Sequence, residues 1–180
     1  MHSLLTLSAA LEWPCKIAAR FIGWLLMLLM AVIIYDVVGR RFFSTGSFKL
    51  QELEWHLHGA IAVLGFGWAY INNAHVRIDL FSSHMQTKTR LRIEIFAICL
   101  FLLPFMALLL WYGIDFAHRS FVRGESSPGG VGLTNRWIIK SAIPLSALLM
   151  LSAGMSVLFR AIVALRRPDL LSDPWDRHDA

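Results

Sequence analysis

Cysteine is almost missing from this 180-residue chain: Cys15 and Cys99 are the only two, and neither belongs to a CxxC pair or a Cys/His cluster. That excludes a disulfide framework and a thiolate metal centre as organising devices, and leaves both residues as small apolar fillers. Charge is also scarce, at 16% of residues against 57% hydrophobic. No polar stretch is long enough to hold a folded soluble domain, so a soluble active site has no place to form. For the same reason the net charge of +5 does not point to nucleic acid, which needs a basic patch on a water-facing surface. Internal repeats are lacking too, as is any inverted pair of interrupted helices of the kind transport cores use.

What remains is four long apolar runs, at about residues 17–38, 53–71, 93–116 and 137–163. About 20 residues of helix cross the roughly 30 Å of hydrocarbon in a bilayer. The sequence therefore predicts an all-α membrane protein of four transmembrane helices plus amphipathic surface helix segments. Residues 1–165 form one membrane domain, and 166–180 form a polar cytoplasmic tail containing Pro168 and Pro174. The first run is preceded by Lys16 and Arg20 as a signal peptide would be. It is longer than a signal core, however, and ends in Asp36-Val37-Val38-Gly39-Arg40-Arg41 without a small-x-small cleavage site, so it reads as a retained helix. Ahead of it, Leu4, Leu7 and Leu11 recur at helical spacing. They form a short stretch that either lies along the membrane surface or is unstructured.

Lysine and arginine set the orientation. With both termini on one side, that side carries Lys16, Arg20, Arg77, Lys88, Arg90, Arg92, Arg160, Arg166, Arg167 and Arg177, ten in all. The other carries Arg40, Arg41, Lys49, Arg119, Arg123, Arg136 and Lys140, seven in all. Ten against seven places both termini in the cytoplasm. The segment from Arg40 to Leu50 mixes aromatic rings with cations and suits the headgroup layer, so phospholipid is an expected partner. Pro104 and Pro144, inside the third and fourth runs, predict kinks.

Ionisable groups fall near the ends of the runs: Asp36, Glu52, Glu54, His56, His58, Glu94, Asp115, Lys140 and Arg160. A charge at mid-bilayer costs about 2.5–3.5 kcal/mol on insertion scales, and transport routes are marked by such groups. Their absence at depth argues against a substrate route in this chain. Glu52 with His56, and Glu54 with His58, are four apart and share helix faces. They read as interfacial hydrogen bonding to a partner helix or as a solvated helix end; no third ligand completes a metal site. Gly59, Ala62, Gly65 and Ala69 make a small-residue stripe that allows close helix packing, within this bundle or on a partner.

Three motifs occur in order: Gly39-Arg40-Arg41-Phe42, then Gln51-Glu52-Leu53, then Ala74-His75-Val76-Arg77-Ile78-Asp79. This series resembles the small membrane subunit of tripartite ATP-independent periplasmic (TRAP) transporters. Ser127-Pro128-Gly129-Gly130, leading into Arg136-Trp137-Ile138-Ile139-Lys140, is similar to the mannitol/chloroaromatic/2-oxo acid branch. The resemblance covers roughly residues 17–165. It implies a scaffold and docking subunit, not an enzyme, in a bacterial inner membrane. Its partners would be a large multi-span permease subunit holding the substrate and sodium sites and a periplasmic substrate-binding protein delivering an organic acid; no cofactor is implied in this chain. Candidate interface or docking residues are Arg40, Arg41, Glu52, Glu54, His58, His75, Arg77, Asp79 and Arg136. Two other classes stay open: a stand-alone small exporter or adaptor, and a haem-bearing respiratory anchor, which needs facing axial histidines at depth.

Overall fold

A computed structural model describes residues 1–75, 85–127 and 132–175. Among these there is helix and turn but no strand. The order is α1 (His2–Phe43), α2 (Phe48–Ile71), α3 (Thr87–Ala97), a π-helical turn at Ile98–Leu102, α4 (Leu103–Val122) and α5 (Trp137–Arg166). Three helical stretches are long and apolar enough to cross a membrane: α1, the continuous stretch Thr87–Val122, and α5. The remaining helix, α2, is 24 residues long, but its apolar part begins only after Glu54.

The helices overrun the apolar runs that reveal them. Residues 2–16 are not a separate surface stretch; they are the opening turns of the 42-residue α1. Pro14 lies within that helix, and Ser8, Glu12 and Cys15 on one side of it are buried. At the far end α1 continues through Arg40, Arg41 and Phe43, so the Arg40–Leu50 connector shrinks to residues 44–47. Ser44 turns left-handed at φ 53°, and the Thr45 amide returns to the Gly39 carbonyl at 3.2 Å, closing the helix with a left-handed cap. Extended Ser47 then starts α2.

Pro104 acts on the turn before it. Lacking an N–H, and with its ring pressed against the carbonyl one turn back, it disrupts the ladder. The strain is taken up by a π-turn in which the amide of Leu103 bonds to the carbonyl of Ile98. Pro144, by contrast, is buried inside an unbroken α5 and touches α4 where Gly113 leaves room.

Helix α5 is the hub, and small residues make it so. Ala147, Ala153, Ala161 and Val163 are wholly buried, with Val157 at 2% exposure. Where α1, α2 and α5 meet, Gly67 is the close approach: a Cβ there would stand 3.1 Å from Cys15 Sγ and from the Leu149 backbone. The Cys15 thiol donates to the Leu149 carbonyl at 3.3 Å, and the Ser146 hydroxyl donates to the Val63 carbonyl at 2.5 Å. Interhelical bonds of this kind contribute about 0.6 kcal/mol each in membrane proteins. The anticipated stripe does not serve this packing. Gly59 and Gly65 have nothing within 4 Å of a Cβ position, and Ala62 is exposed.

The end of the bundle holding the termini is tied by polar contacts. Glu12 accepts from Arg160 at 3.0 Å and Ser156 at 3.2 Å, and pairs with Lys16 at 3.1 Å. Residues 167–175 fold back over this end. Leu171 and Pro174 are buried, Asp173 faces Arg90 at 3.6 Å, and the Trp175 indole donates to the Tyr70 carbonyl at 3.2 Å. That last bond adds a second donor to a carbonyl that already accepts the Asn73 amide at 3.1 Å where α2 stops.

Candidate functional site

The opposite end, where α1 turns into α2 and α4 connects to α5, gathers most of the candidate residues. Asp36 is fully buried and meets Arg40, one turn on, at 2.6 Å, while the Arg40 side chain keeps 46% of its surface exposed. Arg41 is exposed. The α1 terminus thus presents two cations outward, one of them held by a buried carboxylate.

Glu52, in the first turns of α2, reaches across to the α4–α5 connection. Its Oε2 accepts the Leu133 amide at 2.6 Å, and the Ser127 hydroxyl also bonds its carboxylate. Ser127 and Leu133 are themselves joined, amide to carbonyl, at 3.0 Å. Gly132 lies so close beneath that a Cβ would collide with the Glu52 carboxylate and the Ser127 side chain. Glu52 therefore clips a loop rather than pairing with His56 one turn away.

A second clip closes the same loop from the other side. The Lys140 ammonium bonds Glu125 at 2.5 Å and sits 4.2 Å above the Phe116 ring. The Arg136 amide donates to the Glu125 carbonyl at 3.1 Å. Phe121 and Trp137 meet edge to face at 5.4 Å. The ammonium beside it holds the Glu125 carboxyl below its ordinary value of 4.5. Asp115 and Arg119 form an exposed pair at 3.2 Å one turn further along α4.

Between the start of α2 and the start of α5 lies a groove of about 750 Å³ lined by Phe48, Glu52, Trp55, His56 and Arg136, among others. Its aromatic walls are open, with Trp55 at 79% and Phe48 at 72% exposure. The Nε of Arg136 is buried without a hydrogen-bond partner, and so is Oε1 of Glu54.

Of the candidates, Arg40, Arg41, Glu52, Glu54 and Arg136 thus share one end. His58 is exposed on the outer side of α2. His75 is at the other end, its ring 6.3 Å from Phe66 and 6.2 Å from Tyr70. Arg77 and Asp79 lie outside the described residues. Sequence reasoning passed over three participants. The Leu133 amide has no side-chain signature. The Glu12–Arg160 pair was hidden because its members are 148 residues apart. The crowding of small residues in α5 was visible in the sequence and pointed to a central helix. Among the described residues no three metal-binding side chains come together.

Three helices long and apolar enough to cross a bilayer, with charged groups gathered toward the two ends, define a helical membrane protein. The family model of the tripartite ATP-independent periplasmic transporters, DctQ component, matches residues 29–164. This is well over half of the chain, and the protein belongs to that family. It is the small inner-membrane component of a TRAP transporter, not an enzyme, and the family works with a large permease and a periplasmic binding protein. A search among curated proteins returned no match.

Proposed function

We propose that this chain is the immobile brace and docking plate of a sodium-coupled importer of an organic acid. In this reading α1, α2, α3–α4 and α5 are four spans, both termini are cytoplasmic, and the clipped loop end faces the periplasm. The observation that carries it is the double clip. Glu52 on Leu133 and Glu125 on Lys140 hold two separate connections as one surface, from which Arg40 and Arg41 project. A plate that receives a soluble partner binds better when its loops are already ordered.

The outer side of α2 supports contact with the large permease. Half of this helix is too polar for a lipid-facing span, yet Trp55, His58 and Phe66 point away from the bundle and Gly59 and Gly65 leave open space between them. A partner helix with an acceptor or donor level with His58 would fit there. The sodium and substrate sites belong to that partner, so the acid transported, of the 2-oxo acid type by resemblance, is chosen outside this chain. Arg77 and Asp79 remain candidates for the cytoplasmic contact.

The test is uptake by reconstituted complex together with co-purification of the large subunit. Glu52→Ala is expected to lower uptake by releasing the loop, while the large subunit stays bound. His58→Leu is expected to weaken its retention. Normal uptake and normal assembly in both variants would refute the reading.

A further inference from the structure

The first turn of α5 has the wrong charge for its position. A helix start carries partial positive charge and favours acidic neighbours. Here that turn has no acidic residue and no side-chain cap, and the residues around it include Arg136 and Lys140. Lys140 is answered by Glu125. Arg136 feels the charges of Glu52 and Glu125 only at longer range: among the described residues no carboxylate lies within ion-pair distance of it, and its Nε is buried with no acceptor. Glu52, the nearby carboxylate lining the same groove, is already committed to the Leu133 amide.

We propose that the groove between the starts of α2 and α5 binds an amine-headed glycerophospholipid, with its phosphate on Arg136. Four observations converge on that ligand. An arginine whose Nε lacks an acceptor suits the planar, multi-oxygen geometry of a phosphate. Glu52 gives the groove one negative charge to set against the arginine, matching a headgroup that carries both signs. Phe48 and Trp55 supply exposed aromatic walls where a membrane protein places its interfacial belt. A volume of about 750 Å³ takes a headgroup and the upper part of an acyl chain. An acidic side chain from a protein would use the arginine but leave the aromatic walls empty. This goes beyond the docking role and does not depend on it; it needs only that this end of the bundle reach the headgroup layer.

The experiment is lipid retention, measured by native mass spectrometry on the full chain purified with its large subunit. The complex is first equilibrated with vesicles of phosphatidylethanolamine and phosphatidylglycerol in equal amounts. The wild type is expected to hold phosphatidylethanolamine selectively. Arg136→Gln is expected to hold at least about fivefold less, the loss of one charge-assisted contact. Arg136→Lys should retain part, and Arg123→Gln, on an exposed arginine outside the groove, should match the wild type. If Arg136→Gln fails to assemble, Trp55→Ala decides, since it removes a wall and leaves the cation: retention is expected to fall, and unchanged retention overturns the proposal. Equal retention in wild type and Arg136→Gln overturns it as well. Release of the lipid by millimolar inorganic phosphate would mark a free-anion site instead and overturn it. So would an Arg136→Gln complex that keeps its lipid but no longer captures the binding protein, which would assign the arginine to an acidic protein surface.

Discussion

Helices α1 and α5 read alike as apolar runs and behave as opposites in the bundle. More than half of the apolar stretch of α5 is buried within the chain, whereas that of α1 is almost wholly exposed. Side-chain size separates them. Between Ala142 and Ala164, α5 carries Ser146, Ala147, Ser152, Ala153, Gly154, Ser156 and Ala161, which let three neighbours approach closely. Over the corresponding length α1 turns Trp24, Met27, Met30, Ile34 and Tyr35 outward, and buries only Leu29 and Asp36. In lipid there is no hydrophobic gain from bringing apolar helices together, so close fit and polar bonds decide which helix becomes central. Hydropathy says that a helix enters the membrane; residue volume says where in the bundle it goes.

The sharpest way to break that contrast is at the one place where α1 is tightly held. Glu12→Leu removes the carboxylate that Arg160, 11% exposed, Ser156 and Lys16 all reach. Losing hydrogen bonds to a charged group costs about 1.5–3 kcal/mol. Thermal unfolding of purified protein should show it clearly. Trp24→Leu, on a side chain 76% exposed, should change the same measurement by less than about 0.5 kcal/mol. Comparable losses in the two would mean that α1 is not peripheral.

A second pair of substitutions sharpens the contrast on α2. Gly67→Ala pushes a methyl against the α5 backbone at 3.1 Å and should destabilise the isolated chain by about 1–3 kcal/mol. Gly65→Ala meets nothing within 4 Å and should leave the isolated chain unaffected, while reducing co-purification of the large subunit if that face is covered by it.

The loop clip is expected to respond to acid. The folded carboxyl of Glu125 lies below its ordinary value of 4.5, mainly because of Lys140. A depressed carboxyl contributes stability that is complete above the unfolded value and disappears as pH falls through the folded one. The melting difference between wild type and Glu125→Gln should therefore be flat near neutrality and shrink as pH falls below 4.5; a difference that grew in acid would be the wrong sign. The smallest effect belongs to the exposed Asp115–Arg119 pair, where Asp115→Asn should cost no more than about 0.5 kcal/mol.

How far the sequence revealed all this follows from the same physics. The four apolar runs were legible because the bilayer demands length and little else. The ends were not. Arg40-Arg41-Phe42-Phe43 looks like a connector by polarity, yet nothing in it stops a helix until Ser44 takes a left-handed turn. Glu52 and Arg136 were legible as candidates because each stands in a short motif that opens an apolar run. The partner of Glu52 was not, since a backbone amide at Leu133 belongs to no motif. Nor could spacing alone foretell that Gly59 and Gly65 face outward while Gly67 takes the close crossing.

The indole of Trp175 ties the segment after α5 to the end of α2, 105 residues earlier in the chain. A change at the carboxyl end of this chain therefore reaches α2 as well as α5.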